Sequence, residues 1–285
     1  MLCKTVSMSI TLKGDQEINS VPTTKSKALR INLNANIYGT FAEIGAGQET
    51  VRNFFRAGGA SGTIAKAMSA YDKDFSDAIY GIEPDQRYVT EPRLKTMLRH
   101  EMDLIEDRLS RKKHPDKLFF TYANTVATIN FSKKFKGHGW IGVRFQLDPL
   151  EDYNEIVLHL RFKETDARLQ QETLGILGVN LIHGAFYMND NPKELVKSFY
   201  DNINEDQLEI DMVNFSGPRF MYVDNRLMSL QLLSPNKISS TSISYEFVEL
   251  IIRQIREKDI FIYFNQYEKD IINFDLYLKE LRETF

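Results

Sequence analysis

The chain has a single cysteine, Cys3, in 285 residues. That excludes an intrachain disulfide framework and any paired-cysteine metal or redox motif. A catalytic thiol is not expected at a chain end that frays. No stretch reaches the length of about 18 apolar residues that a membrane-spanning helix needs. The first residues lack the apolar core of a secretory signal, so a cytoplasmic location is expected. The net charge of −3 gives no global electrostatic case for nucleic acid or an anionic membrane. Local basic runs, Arg111-Lys112-Lys113 and Lys133-Lys134-Phe135-Lys136, read as solvated turns. There is no GxxxxGK[ST] phosphate loop, no HExxH and no Gly-x-Ser-x-Gly elbow. The five histidines are dispersed without metal-ligand spacing, so no metal site is expected.

What is present suggests an α+β protein. Ser, Thr and Lys dominate residues 1–27, a flexible segment by composition. Ala28 to Tyr38 alternates apolar and polar residues, the period of a half-buried strand. Helices are expected over Glu49–Arg56 and Glu91–Arg111, the second capped by Thr90 with Pro92 in its first turn. Three strands follow, near Lys117–Phe131, Gly139–Leu147 and Glu155–Phe162. Their short connections permit antiparallel pairing, whereas parallel pairing needs a long crossover. The expected core, residues 28–233, is therefore an antiparallel β-meander packed on helices. Residues 234–285, rich in Ile, Tyr and Phe, read as a helical C-terminal extension. Between Asp166 and Tyr187 lies an almost uncharged helix bearing Gly175, Gly178 and Gly184. Glycine weakens an exposed helix by about 1 kcal/mol relative to alanine. This helix is thus expected to be central and closely packed, with Asn180 and His183 as buried polar groups that need partners.

Two segments carry a resemblance. Tyr38-Gly39-Thr40-Phe41-Ala42-Glu43-Ile44-Gly45-Ala46-Gly47-Gln48 is similar to the nucleotidylyltransferase loop Gly-Thr-Phe-x-Pro-x-His-x-Gly-His. Gly39, Thr40, Phe41 and Gly47 match in register. The two histidines that hold ATP phosphates in that family are replaced by Gly45 and Gln48, and the proline by Glu43. Ile238-Ser239-Ser240-Thr241-Ser242-Ile243 resembles a C-terminal motif of nicotinate-nucleotide adenylyltransferases, with Ser244 where that family has arginine. Residues 28–233 also resemble a longer bacterial family whose members are sometimes labelled nicotinate-nucleotide adenylyltransferase. The run from Gly39 to Asp72 and the run Val223–Leu232 carry that likeness.

The resemblance implies adenylyl transfer from ATP to nicotinate mononucleotide, with Mg²⁺. It also implies phosphate contacts from Gly39, Thr40, Gly47, Gln48, Ser240 and Thr241. A separate candidate comes from the strands: Arg144 and Gln146 on one, His159 and Arg161 on the next, a polar patch suited to phosphate or carboxylate if the strands are neighbours. No catalytic residue is assigned. The competing reading is a non-catalytic ligand-binding or scaffold protein. Its glycine turn is structural, and its C-terminal helices engage a protein partner or a second copy.

Overall fold

The computed structural model describes residues 21–109, 111–132 and 136–232. The expected C-terminal helices, with Ser240 and Thr241, lie outside the described residues. So do residues 1–20 and most of the Lys133–Lys136 turn.

The first element corrects the sequence reading. Ala28 and its neighbours form a helix, α1 (Thr24–Asn32), not a strand, and it begins inside the segment expected to be flexible. Thr23 caps it by accepting from the Ser26 N–H. The buried positions are Lys27, Ala28, Ile31 and Asn32, a helical i, i+3, i+4 stripe. The pattern misled because two of those four are polar. Lys27 Nζ lies 2.6 Å from Asp201 and 2.8 Å from Asn180 Oδ1. Asn32 donates to the carbonyls of Phe54 and Gly58. Their partners come from distant sequence, so local periodicity carries no trace of them.

Six strands form one sheet in the order β2-β1-β3-β4-β5-β6. They are β1 (Ile37–Ile44), β2 (Ile64–Met68), β3 (Leu118–Ala127), β4 (His138–Phe145), β5 (Asn154–Phe162) and β6 (Leu208–Ser216). β3, β4 and β5 form an antiparallel meander through short connections, and β6 joins antiparallel to β5 after the long excursion through two helices. β1 is parallel to both β2 and β3, so the sheet is mixed but mostly antiparallel.

Helices cover both faces. On one lie α1, α2 (Glu49–Ala57), α5 (Ala167–Tyr187) and α6 (Pro192–Ser198), with α7 (Asn225–Leu232) against β6. Their core joins Phe41, Phe54 and Tyr122 to Leu158, Leu177 and Phe215. On the other face lie α3 (Lys73–Tyr80) and α4 (Glu91–Arg108). Leu94, Met97 and Leu98 of α4 pack there on Ala42, Ala123 and Val157. Thr90 and Pro92 start α4 as expected.

The glycines of α5 explain its composition. A Cβ on Gly175 would lie 2.9 Å from the Glu49 backbone, and one on Gly178 would lie 2.3 Å from Thr50 Oγ1. Helices α2 and α5 therefore touch closely, and larger residues there would force them apart. Asn180 is fully engaged: it accepts from Lys27 and donates to the carbonyls of Phe199 and Asp201. His183 is buried against Tyr187, and its Nδ1 has no partner among the described residues. Burial, then the charges of Lys27 and Arg30, lower its pKa to about 4.

Candidate functional site

The glycine turn lies where open α/β proteins hold phosphates, between a strand end and a helix N-terminus. Here the position is filled from within. Glu43, the penultimate residue of β1, is 1% exposed. Its Oε1 accepts from the Val51 N–H at 2.9 Å and its Oε2 from the Thr50 N–H at 3.2 Å. Asn124 Nδ2 donates to the same Oε2 at 3.1 Å. The carboxylate thus occupies the free N–H groups that a phosphate would use. Burial raises its pKa to about 7, against the hydrogen bonds from Val51, Thr50 and Asn124.

The residues matching the nucleotidylyltransferase loop do not converge. Gly39 and Thr40 lie inside β1. A Cβ on Gly39 would meet Phe120 at 2.3 Å, so this glycine serves strand packing. Thr40 faces α4, the side of the sheet opposite α2. Gly45 and Gly47 make the turn itself, with φ of +94° and +73°. At Gly45 a Cβ would sit 1.9 Å from the Val126 carbonyl oxygen. Gln48 is the N-cap residue of α2, but its side chain makes no capping bond.

The strand patch is only partly assembled. β4 and β5 are neighbours, as that reading required. Yet Arg144 pairs across with Glu155, while Arg161 pairs with His138. Six residues of β5 separate those positions, about 20 Å at strand rise. Arg144 binds Glu155 at 3.2 Å and stacks on Tyr153. It is a structural arginine at the far end of the sheet. Both arginines project on the α4 face, so neither reaches the N-terminus of α2.

At the other end a compact group does form. β6 carries a bulge opposite His159 and Leu160, which makes Asp211 an extra residue. Asp211 Oδ1 meets His159 Nδ1 at 2.5 Å, and its Oδ2 accepts from Arg161 Nε at 2.6 Å. His159 Nε2 lies 3.4 Å from His138 Nδ1, and the Trp140 ring centre lies 4.7 Å from that of His159. Burial pushes Asp211 up, but the hydrogen bonds and charges of His159 and Arg161 together bring it below the usual carboxylate range. Burial, then the charges of His159 and Arg161, lowers the pKa of His138. Asp211 thus holds His159 through its Nδ1, and the second nitrogen of that ring faces His138 Nδ1. Arg161, 55% exposed, is fixed through Nε and keeps its terminal N–H groups for an anion. The group can therefore bind an anion beside a pair of imidazoles.

Sequence reasoning placed His159 and Arg161 in a patch but did not include Asp211 or His138. The alternation of Glu209 and Asp211 with Leu208 and Ile210 carried half the signal. The bulge that re-aims Asp211 left none. Among the described residues no cluster of three or more His, Cys, Asp or Glu side chains suits a metal. None of the described helices is long and apolar enough to cross a membrane.

No protein-family model matches the chain, and no curated protein does. Solved structures overlap it loosely. The competence-damaged protein (CinA) superfamily protein from Enterobacter cloacae superposes with a TM-score of 0.40 at 12% identity, covering 63% of this chain and 99% of its own. A CinA superfamily protein from Klebsiella pneumoniae gives 0.40 at 8% identity, covering 56% and 93%. The competence/damage inducible protein CihA from Agrobacterium tumefaciens gives 0.38 at 13% identity, covering 58% and 97%. These are likenesses of chain path, and no functional argument rests on them.

Proposed function

We propose that this chain binds a small anionic ligand of nucleotide type on the β4–β5–β6 face, with Arg161 and His138 as its anchors. The observation that carries this reading is the Asp211 carboxylate, which holds His159 and Arg161 at once. A guanidinium fixed in that way presents its remaining donors at little cost in side-chain entropy. Trp140, half-buried beside His159, adds an aromatic surface for a ring. Within nucleotide chemistry the sequence resemblance points to adenylyl transfer from ATP to nicotinate mononucleotide, with Mg²⁺ as cofactor. On that reading the charged phosphates sit at Arg161 on the sheet face and not at the Gly45–Gln48 turn.

The second reading is a non-catalytic binding or scaffold protein. It is favoured by Glu43, which closes the helix N-terminus where a phosphate would sit. Titration calorimetry with ATP, nicotinate mononucleotide and NAD, each with Mg²⁺, separates the two. Saturable binding that falls at least tenfold in Arg161→Ala and is unchanged in Gln48→Ala supports the sheet-face site. Binding lost in Gln48→Ala but kept in Arg161→Ala returns the site to the glycine turn. No binding at millimolar ligand supports the scaffold reading.

A further inference from the structure

A second concavity lies on the α4 face, between the first half of β1, the edge strand β2 and the last turns of α4. Its volume is about 380 Å³, within the range that holds small ligands. Leu104, Ile105 and Leu109 of the α4 end and the ring of Tyr38 make its wall apolar. Thr40 lines it from β1 and is 2% exposed, yet its hydroxyl has no hydrogen-bond partner among the described residues. Its register partner Thr121, buried beside it on β3, likewise has no hydroxyl partner among the described residues. Buried hydroxyls without partners are uncommon and call for an explanation. A ligand with a polar group at the floor of the cavity supplies one.

Charge narrows the class of ligand. Lys66 reaches into the cavity wall but is already paired with the fully buried Glu101, which also accepts from Tyr80. Arg108 lines the mouth, is exposed, and forms no ion pair among the described residues. One uncompensated guanidinium therefore faces an apolar cavity. The nearest helix end is the C-terminus of α4, whose free carbonyls carry partial negative charge. That end disfavours a phosphate dianion, and a monoanion paired with Arg108 fits.

We propose that this cavity binds an amphipathic carboxylate: a carboxyl group on Arg108, an apolar body along Leu104, Ile105 and Leu109, and a polar substituent or a bound water at Thr40. The site is separate from the His138–Arg161 group, and neither requires the other.

Decanoate, used below its self-association concentration with the whole chain, is the probe for calorimetry. The expected result is saturable binding, at least tenfold weaker for decanol and at least tenfold weaker in Arg108→Ala. Leu104→Arg should abolish binding by filling the wall. Thr40→Val should weaken binding several-fold with an unchanged or raised Tm, which separates ligand contact from structural damage. Circular dichroism and Tm confirm that each variant is folded before it is titrated. Absence of saturable heat, equal affinity in Arg108→Ala, or tighter binding of decyl phosphate than decanoate would each overturn the assignment.

Discussion

Glu43 and Thr40 stand three residues apart on the same strand and on opposite faces of it. Glu43 faces α2, and both of its oxygens accept bonds from Thr50, Val51 and Asn124. Thr40 faces α4, and its hydroxyl has no partner among the described residues. The face that resembles a phosphate-binding turn is thus closed by the protein's own carboxylate. The face without that resemblance has the room and the unsatisfied groups. A motif marks where a backbone can host a ligand; the side chains around it decide whether space remains.

The closed side should break most readily at the turn. Gly45→Ala places a Cβ against the Val126 carbonyl at a left-handed φ. It should cost about 4 kcal/mol in urea unfolding, more than any other single change considered for this strand. A loss under 1 kcal/mol would mean that the turn relaxes and the closure is loose. Next comes Glu43→Ala, which leaves two backbone N–H groups and Asn124 without their acceptor. About 3 kcal/mol is expected. If the same variant gains affinity for inorganic phosphate, the carboxylate is indeed holding an anion position.

Protonation sharpens the comparison further. The folded-state pKa of Glu43, about 7, is above its ordinary value. Its contribution is therefore full below about 4.5 and is lost as pH rises towards 7. His183, held at about 4, works in the opposite sense: its contribution is full above about 6.5 and is lost as pH falls. Each shift corresponds to at most about 3.5 kcal/mol. Between about pH 4.5 and 6.5 the two slopes oppose, so stability should be nearly flat for these groups. Glu43→Ala should expose an acid-side loss, and His183→Leu an alkaline-side loss. Parallel profiles for all three proteins, measured by denaturant titration across pH, would contradict both shifts. The smallest effect belongs to the open side. Thr40→Val should change stability by less than about 1 kcal/mol and in the stabilising direction, because it removes a buried hydroxyl that bonds to nothing. A loss above that would mean that the hydroxyl has a structural partner.

Legibility in the sequence followed the range of the interactions. Helix α4 was readable from Thr90, Pro92 and its apolar stripe because its signals are local. The meander was readable from turn residues and short connections. The close packing of α5 was readable from Gly175 and Gly178, although their contacts, Glu49 and Thr50, were not. Helix α1 was misread because Lys27 and Asn32 are buried through partners far along the chain. The strand β2 and the helix α3 were missed, being a short edge strand and a helix of eight residues. At the site, His159 and Arg161 were found by alternation. Their union through Asp211 depends on a bulge, and the separation of Arg144 from Arg161 depends on register. Neither has a local signature.

The Lys27–Asp201 pair joins residues 174 positions apart. During synthesis the ammonium of Lys27 leaves the ribosome long before its carboxylate exists. At ordinary elongation rates the interval is roughly ten to thirty seconds. Through that time α1 cannot be sealed, and the apolar face carrying Ala28 and Ile31 stays accessible to chaperones. The contact that seals α1 therefore waits on a residue made 174 positions later.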